Sequence, residues 1–326
     1  MKKTESTDNL SDPIVKTTSA DSPTTGIQSE TESGIIGQTA SGAVTNGQTA
    51  EGPIILNLHE ILRKRMTGKA SRLLPGFLIT RLEKLIRQDE LNEILRVTYP
   101  ARGSEFSARV LDYLNIEVEV VGLDRLPEGR FMFASNHPLG GLDGITLIAL
   151  LGKKYGDEGV RFLVNDMLMN VEPLRDVFLP INKFGSQGRM AAKAINEALA
   201  SDRQILQFPA GLVSRLQKGG TIADLEWQKA FVSKAIQYER DIVPVKFEAL
   251  NTKGFYKKAR LRKRLGIKFN LEQILLPGEV CKSRGKKFRV IFGEPISVSA
   301  LRSSGKPARQ LAAEIRDLVY SLPSNQ

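Results

Sequence analysis

Two histidines serve a chain of 326 residues, and one of them stands where it could do chemistry. His137 lies in FMFASNHPLGGLDGITLIALLG, residues 131 to 152, where a short apolar run gives way to a glycine-rich turn. Asp143 follows six positions later, at the start of an apolar, helix-like segment. Histidine takes up a proton near neutral pH, with a reference pKa of about 6.5, and a carboxylate on the far ring nitrogen fixes its tautomer and stabilises the imidazolium. His137 and Asp143 form such a pair if the turn folds back, which Gly140 and Gly141 permit while leaving room for a substrate chain. No serine or cysteine in an elbow motif accompanies them, so the proton would come from a bound hydroxyl or amine, which points to direct acyl or phosphoryl transfer. The spacing alone also allows Asp143 to be the N-cap of a helix starting at Gly144, with His137 a hydrogen-bonded loop residue.

The elements that must hold this turn are legible as texture. From residue 116 onward, short β-rich runs (IEVEVVG, FMFAS, VRFLVN, ILQFP, IVPVKFEA and FRVIFG) alternate with helical segments near 143–153, 188–200, 225–239 and 307–321. That alternation predicts an α/β domain over 115–326, a largely parallel sheet flanked by helices, with active-site loops at the carboxyl ends of the strands. His137 falls in such a loop, directly after Ser135. Residues 53–114 read as an N-terminal amphipathic helix pair divided at Pro75 and Gly76, with Leu58, Ile61 and Leu62 and then Leu78, Leu82, Leu85 and Ile86 at helical spacing. Such a pair packs on the core or faces a membrane, and its basic flanks, Arg63, Lys64, Arg65, Lys69 and Arg72, favour the membrane. Residues 1–52, rich in Ser, Thr and Gly, bury too little apolar surface to offset ordering entropy and are expected to be a disordered tail.

At four places the residues resemble the glycerolipid acyltransferase family, to which the bacterial lysophosphatidic acid acyltransferases belong. The resemblance covers roughly 115–300. Asn136, His137 and Asp143 fit the first block, with five intervening residues where the family has four. FLPINK fits the second and puts Lys183 where the family has arginine, with Arg189 as a rival position. FPAGLVSR, residues 208–215, fits the third, with Ala210 replacing a glutamate; IVPVKF around Pro244 fits the fourth. The resemblance implies that His137 is a general base, removing the acceptor proton during attack on an acyl thioester, and that Asp143 orients the ring. It also implies that Asn136, Lys183, Gly211, Ser214 and Arg215 bind the acceptor. The oxyanion is to be met by backbone N–H groups, with the turns at 140–141 and 211 as candidates, or by a basic side chain. A lyso-lipid acceptor follows, either lysophosphatidic acid or, given the lost carboxylate at Ala210, a lyso-aminolipid built on an N-acylated amino acid such as glycine or ornithine.

Composition bounds the partners. The chain carries +11, and because the tail carries −4 the remainder carries +15, which favours an anionic partner such as a membrane surface or an acidic acyl carrier protein. Residues 253–268, KGFYKKARLRKRLGIK, hold eight Lys or Arg and no acid, with Phe255, Tyr256, Leu261 and Leu265 able to dip among lipid headgroups. A non-enzymatic nucleic-acid- or membrane-binding protein is the alternative, but aromatic residues are sparse there and no nucleic-acid motif appears. No run approaches the 18 or so apolar residues of a membrane span, and no secretory signal opens the chain, so a peripheral position on the cytoplasmic face of the membrane is expected. The single cysteine, Cys281, excludes an internal disulfide framework, and with two histidines it cannot make the usual zinc set. No phosphate-binding or dinucleotide-binding glycine loop is present, so no metal or cofactor is expected beyond acyl-carrier or coenzyme A thioester as co-substrate.

Overall fold

The computed structural model describes residues 52–53, 55–60, 76–181, 185–217, 219–265 and 271–323, all within the unit Gln48–Gln326. The expected tail falls almost wholly outside the described residues, as do Ile61, Leu62, the basic flanks at 63–72 and Lys183.

Residues 58–60 are helical, and three helices follow from residue 76: α1 (Gly76–Ile86), α2 (Gln88–Thr98) and α3 (Gly103–Tyr113). The periodicity over 78–97 predicts one continuous helix there, but the chain breaks at Arg87, which takes a left-handed conformation with φ of 59°. The break falls where α1 meets a later helix at Gly278, and a Cβ on that glycine would lie 2.6 Å from the Leu85 carbonyl. Helices α2 and α3 bury Ile94, Phe106 and Val110 in the main core, so this part of the N-terminal segment is integral to the domain. On α1, Ile79 and Ile86 are buried while Phe77 is 70% exposed.

The remaining elements follow the expected alternation: β1 (Glu117–Val121), β2 (Phe131–Ser135), α4 (Leu142–Tyr155), β3 (Val160–Asn165), β4 (Phe178–Ile181), α5 (Gly185–Ala200) and β5 (Gln204–Gln207). A two-stranded hairpin, β6 (Arg215–Leu216) and β7 (Ile222–Ala223), then precedes α6 (Ala230–Gln237) and β8 (Asp241–Glu248). Two helices, α7 (Lys253–Arg264) and α8 (Leu271–Cys281), lead to β9 (Lys287–Phe292), α9 (Val298–Ser303) and α10 (Ala308–Ser321). The main sheet runs β1-β9-β8-β2-β5-β3-β4, parallel throughout except for the β8–β9 pair. Strand β2 is central, flanked by β8 (Phe133 beside Val243) and β5 (Phe133 beside Leu206), and all five of its residues are buried. A strand covered on both faces needs no polar alternation, which is why FMFAS is apolar throughout until its last residue.

Side chains alternate across β2 into two cores. Phe131 and Phe133 join Val110, Leu147, Leu151 and Phe162 on one side; Met132 and Ala134 join Ile205, Trp227, Phe231 and Ile315 on the other. The helix expected from 225 begins only at Ala230. Residues 224–228 are diverted to other partners: Trp227 is buried, and the Gln228 N–H donates to the Pro209 carbonyl at 3.0 Å. The basic segment at 253 is helical, but Phe255 and Tyr256 point inward and are almost fully buried, packed with Val213 and Leu275. They are therefore unable to enter a membrane, and Leu261 and Leu265 are the exposed large apolar side chains among the described residues of that segment.

At the amino end of β8, Arg240 is wholly buried. Its guanidinium donates to the carbonyls of Leu199 (2.8 Å), Ala198 (3.1 Å), Arg203 (2.6 Å), Phe131 (3.3 Å) and Ser201, satisfying the orphan carbonyls where α5 ends. Burial, with a smaller contribution from the Arg130 charge, pushes its pKa down to about 10.

Candidate active site

The site is a turn, residues 136–141, between the carboxyl end of β2 and the start of α4, and its neighbours hold its backbone at nearly every residue. The Asn136 side chain accepts from the Phe247 N–H at 2.6 Å and donates to the Phe247 carbonyl at 3.0 Å, tying the turn to β8. The His137 N–H donates to Asp224 Oδ1 at 3.2 Å, and its carbonyl accepts the Ser214 N–H at 2.8 Å. Asn251 donates to the carbonyls of Pro138 and Leu139, each at 3.2 Å. Gly140 has φ of 78°, in the left-handed region that favours glycine.

Asp143 closes the turn from inside. Its carboxylate is fully buried and accepts from the backbone N–H groups of Leu139 (2.9 Å), Gly140 (3.1 Å) and Gly144 (2.9 Å), while Oδ2 lies 2.8 Å from His137 Nδ1. The helix N-cap is Gly141, so Asp143 sits in the first turn of α4 and the N-cap reading does not hold. A carboxylate at Nδ1 places the ring proton there and leaves Nε2 as the basic nitrogen. Nε2 is uncommitted among the described residues, and the imidazole is 17% exposed.

Electrostatics follow from this geometry. Burial alone would lower the His137 pKa, but the charge and hydrogen bond of Asp143, helped by the charge of Asp224 and opposed by Arg215, hold it above the usual histidine value. Burial alone would raise the Asp143 pKa, but His137 and the Leu139 and Gly140 amides outweigh it and hold the carboxyl below its usual value. The carboxylate thus stays ionised and strengthens the imidazole as a base; above its raised pKa the ring is neutral and able to accept one proton.

The other wall is FPAGLVSR. Phe208 stacks on the imidazole with ring centroids 4.0 Å apart and planes 22° apart, which fixes the ring plane. Ala210 is buried in the second core. Gly211 has φ of 65°, with open space where a side chain would stand. The Ser214 hydroxyl donates to Asp224 Oδ1 at 2.5 Å, and Arg215 opens β6 near enough for its charge to oppose the imidazolium. Structure thus brings Asn136, His137, Asp143, Ser214 and Arg215 together; Arg189 is exposed on α5. Of the expected oxyanion donors in the turns at 140–141 and 211, the Gly140 N–H is committed to Asp143 and the Gly211 N–H to the Phe208 carbonyl at 2.9 Å, while the Gly141 N–H donates to none of the described residues. A cavity of about 230 Å³ adjoins the turn, lined by Asn136, Pro138, Ser214, Lys246, Glu248 and Tyr320 among others.

Sequence reasoning missed Asp224 and Asn251, lone polar residues 87 and 114 positions beyond His137 that belong to no recognised block. Among the described residues no group of three or more His, Cys, Asp or Glu is arranged to hold a metal. Cys281 is buried, and burial pushes its thiol up to about 11, so it is no nucleophile near neutral pH.

A mixed, mostly parallel sheet flanked by helices, with a His–Asp pair beyond the carboxyl end of its central strand, places the chain in the α/β class. The chain belongs to the acyltransferase family, whose profile matches residues 61–325. It is 42% identical over 275 residues to the lyso-glycine lipid O-acyltransferase of Phocaeicola vulgatus, covering 84% of this chain and 97% of that protein. The lyso-glycine lipid O-acyltransferase of Bacteroides thetaiotaomicron is likewise 42% identical over 275 residues, covering 84% of this chain and 100% of that protein. Among solved structures, the chain is similar to the 1-acyl-sn-glycerophosphate (LPA) acyltransferase, PlsC, from Thermotoga maritima, with a TM-score of 0.44 and 17% identity over 77% of this chain and 89% of that one.

Proposed function

We propose that this acyltransferase moves a fatty acyl group from an acyl-carrier or coenzyme A thioester to the hydroxyl of a lyso-lipid, and that the acceptor is a lyso-glycine lipid or a close aminolipid relative. The His137–Asp143 pair carries the mechanism. Nε2 removes the acceptor hydroxyl proton as the oxygen attacks the thioester carbonyl; the intermediate collapses with cleavage of the C–S bond, and the imidazolium returns the proton to the departing thiolate. Products are an ester and a free thiol carrier, and a base so placed contributes about 10²- to 10⁴-fold. With the Gly140 and Gly211 amides committed, the Gly141 amide and Arg215 are the candidates for meeting the oxyanion charge, with Lys183, Ser214 and Gly211 on the acceptor side.

The acceptor assignment rests on two features. Both relatives named for a lyso-glycine lipid align over 84% of the chain, and Ala210, buried in apolar surroundings, leaves the third block without the carboxylate that the glycerol phosphate pattern carries. The enzyme works peripherally at the cytoplasmic face of an anionic membrane: among the described residues no helix is long and apolar enough to cross one, and α7 presents lysines and arginines around the exposed Leu261 and Leu265.

The deciding experiment offers one labelled acyl thioester with N-(3-hydroxyacyl) glycine, its ornithine counterpart and lysophosphatidic acid in parallel and resolves the lipid products. A glycine preference of tenfold or more in kcat/KM, about 1.4 kcal/mol of differential transition-state binding, is expected. Lysophosphatidic acid winning by that margin overturns the acceptor reading and leaves the transfer chemistry standing.

A further inference from the structure

Directly beneath the catalytic turn lies a second buried carboxylate that none of the four sequence blocks contains. Asp224 follows β7 and is 1% exposed. Its Oδ1 accepts the His137 N–H at 3.2 Å and the Ser214 hydroxyl at 2.5 Å; its Oδ2 accepts the Trp227 indole N–H at 2.9 Å. Its own backbone is fixed as well, the N–H donating to the Tyr320 hydroxyl at 2.8 Å and the carbonyl accepting from Arg316 at 2.8 Å. A carboxylate kept this far from water costs several kcal/mol unless its lone pairs are met, so three donors converging on it from separate segments form a built site.

We infer that Asp224 is a positioning residue of the transfer reaction: one carboxylate sets the register between the base and the acceptor-side segment, and lends the imidazole a second negative charge when it carries the proton. The geometry makes the two tasks inseparable. The atom that holds the His137 backbone also holds the Ser214 hydroxyl, and Ser214 is followed by Arg215, so the base and the basic acceptor wall share a single anchor. The charged groups facing His137 are Asp143 from α4, Asp224 from below and Arg215 from β6, with Phe208 supplying an uncharged wall. Of these, Asp143 and Asp224 favour the protonated ring and Arg215 opposes it.

This inference rests on His137 being the base, and the test separates the two. Because the chain has two histidines, H59Q leaves His137 as the sole imidazole for NMR titration of the full-length protein without substrate. Asp224→Asn in that background is expected to lower the His137 midpoint by about 0.5 to 1 pH unit. The acidic limb of the kcat profile should move with it, and the limiting kcat at high pH should fall about threefold, since a weaker base accelerates less. W227F removes a donor and leaves the carboxylate, so it should move the midpoint upward. A midpoint unchanged in Asp224→Asn, with only the melting temperature reduced, would mean that Asp224 serves the fold alone and would overturn the inference. If that variant does not fold, W227F decides, and an unmoved or lowered midpoint there also overturns it. Full activity in His137→Ala would instead remove the base, whatever the titration gives.

Discussion

The two ends of the β2–β8 strand pair carry buried charge of opposite sign and put it to opposite use. At the amino end, Arg240 spends its guanidinium on five backbone carbonyls, and the arrangement is complete in itself. At the carboxyl end, Asp143 spends three hydrogen bonds on the backbone but one on His137, whose Nε2 stays uncommitted among the described residues. Burial and perturbed pKa values occur at both. What sets the carboxyl end apart is a basic atom left over after the surrounding bonds are counted.

The sharpest way to break this contrast is His137→Ala, expected to lower kcat by about 10²- to 10⁴-fold with a near-native circular dichroism spectrum and melting point. Full activity would make the carboxyl end as purely structural as the other. Asp143→Asn should cost about 10²-fold or more in kcat, by losing the charge that supports the imidazolium, and should shift the acidic limb of the pH profile to lower pH. Next, Arg240→Met should leave kcat/KM unchanged below its melting transition while lowering unfolding free energy by about 3 kcal/mol or more, because several buried carbonyls lose their donor. A large kinetic defect there, with stability intact, would collapse the distinction.

A gentler test uses linkage. Since the folded pKa of His137 is raised, its contribution to stability is full below the unfolded value and is lost as pH rises through the folded one; for Asp143, lowered in the fold, the contribution is lost as pH falls. The stability gap between wild type and His137→Ala, followed by denaturant titration, should therefore be widest between about pH 4 and 6.5 and shrink towards alkaline pH. The smallest effect concerns the membrane. Lys257→Glu with Lys258→Glu on α7 should weaken salt-sensitive flotation with anionic vesicles by about 1 kcal/mol or more per position, leaving turnover of a soluble short-chain acceptor unchanged.

Much of this was legible beforehand because the relevant signals are local. Apolar runs such as FMFAS and IVPVKF mark strands buried on both faces, and the glycines beside His137 mark a turn that must fold back on Asp143. What escaped detection depends on distance. Asp224, Asn251 and Tyr320 have no periodicity around them and acquire meaning only once β7, β8 and α10 are brought to the turn. Helix α8 escaped for a different reason: LLPGEV carries Pro277 and Gly278, which read locally as a stop, whereas Gly278 is there so that α1 can touch. The inward set of Phe255 and Tyr256 likewise depends on Val213 and Leu275, residues remote in sequence.

The clamp from α10 onto Asp224 also bears on when the enzyme becomes active during its own synthesis. Tyr320 and Arg316 reach back 96 and 92 residues to hold Asp224, and β9 must enter the sheet between β1 and β8 after both have been made. Long-range closures of this kind are the slow steps of folding, because chain entropy is lost before any contact repays it. His137 and Asp143 leave the ribosome early, but the wall that fixes them is finished by α10, the last helix described. Translation products that stop short of α10 thus carry His137 and Asp143 without these supports, and transfer should begin only once α10 has been made.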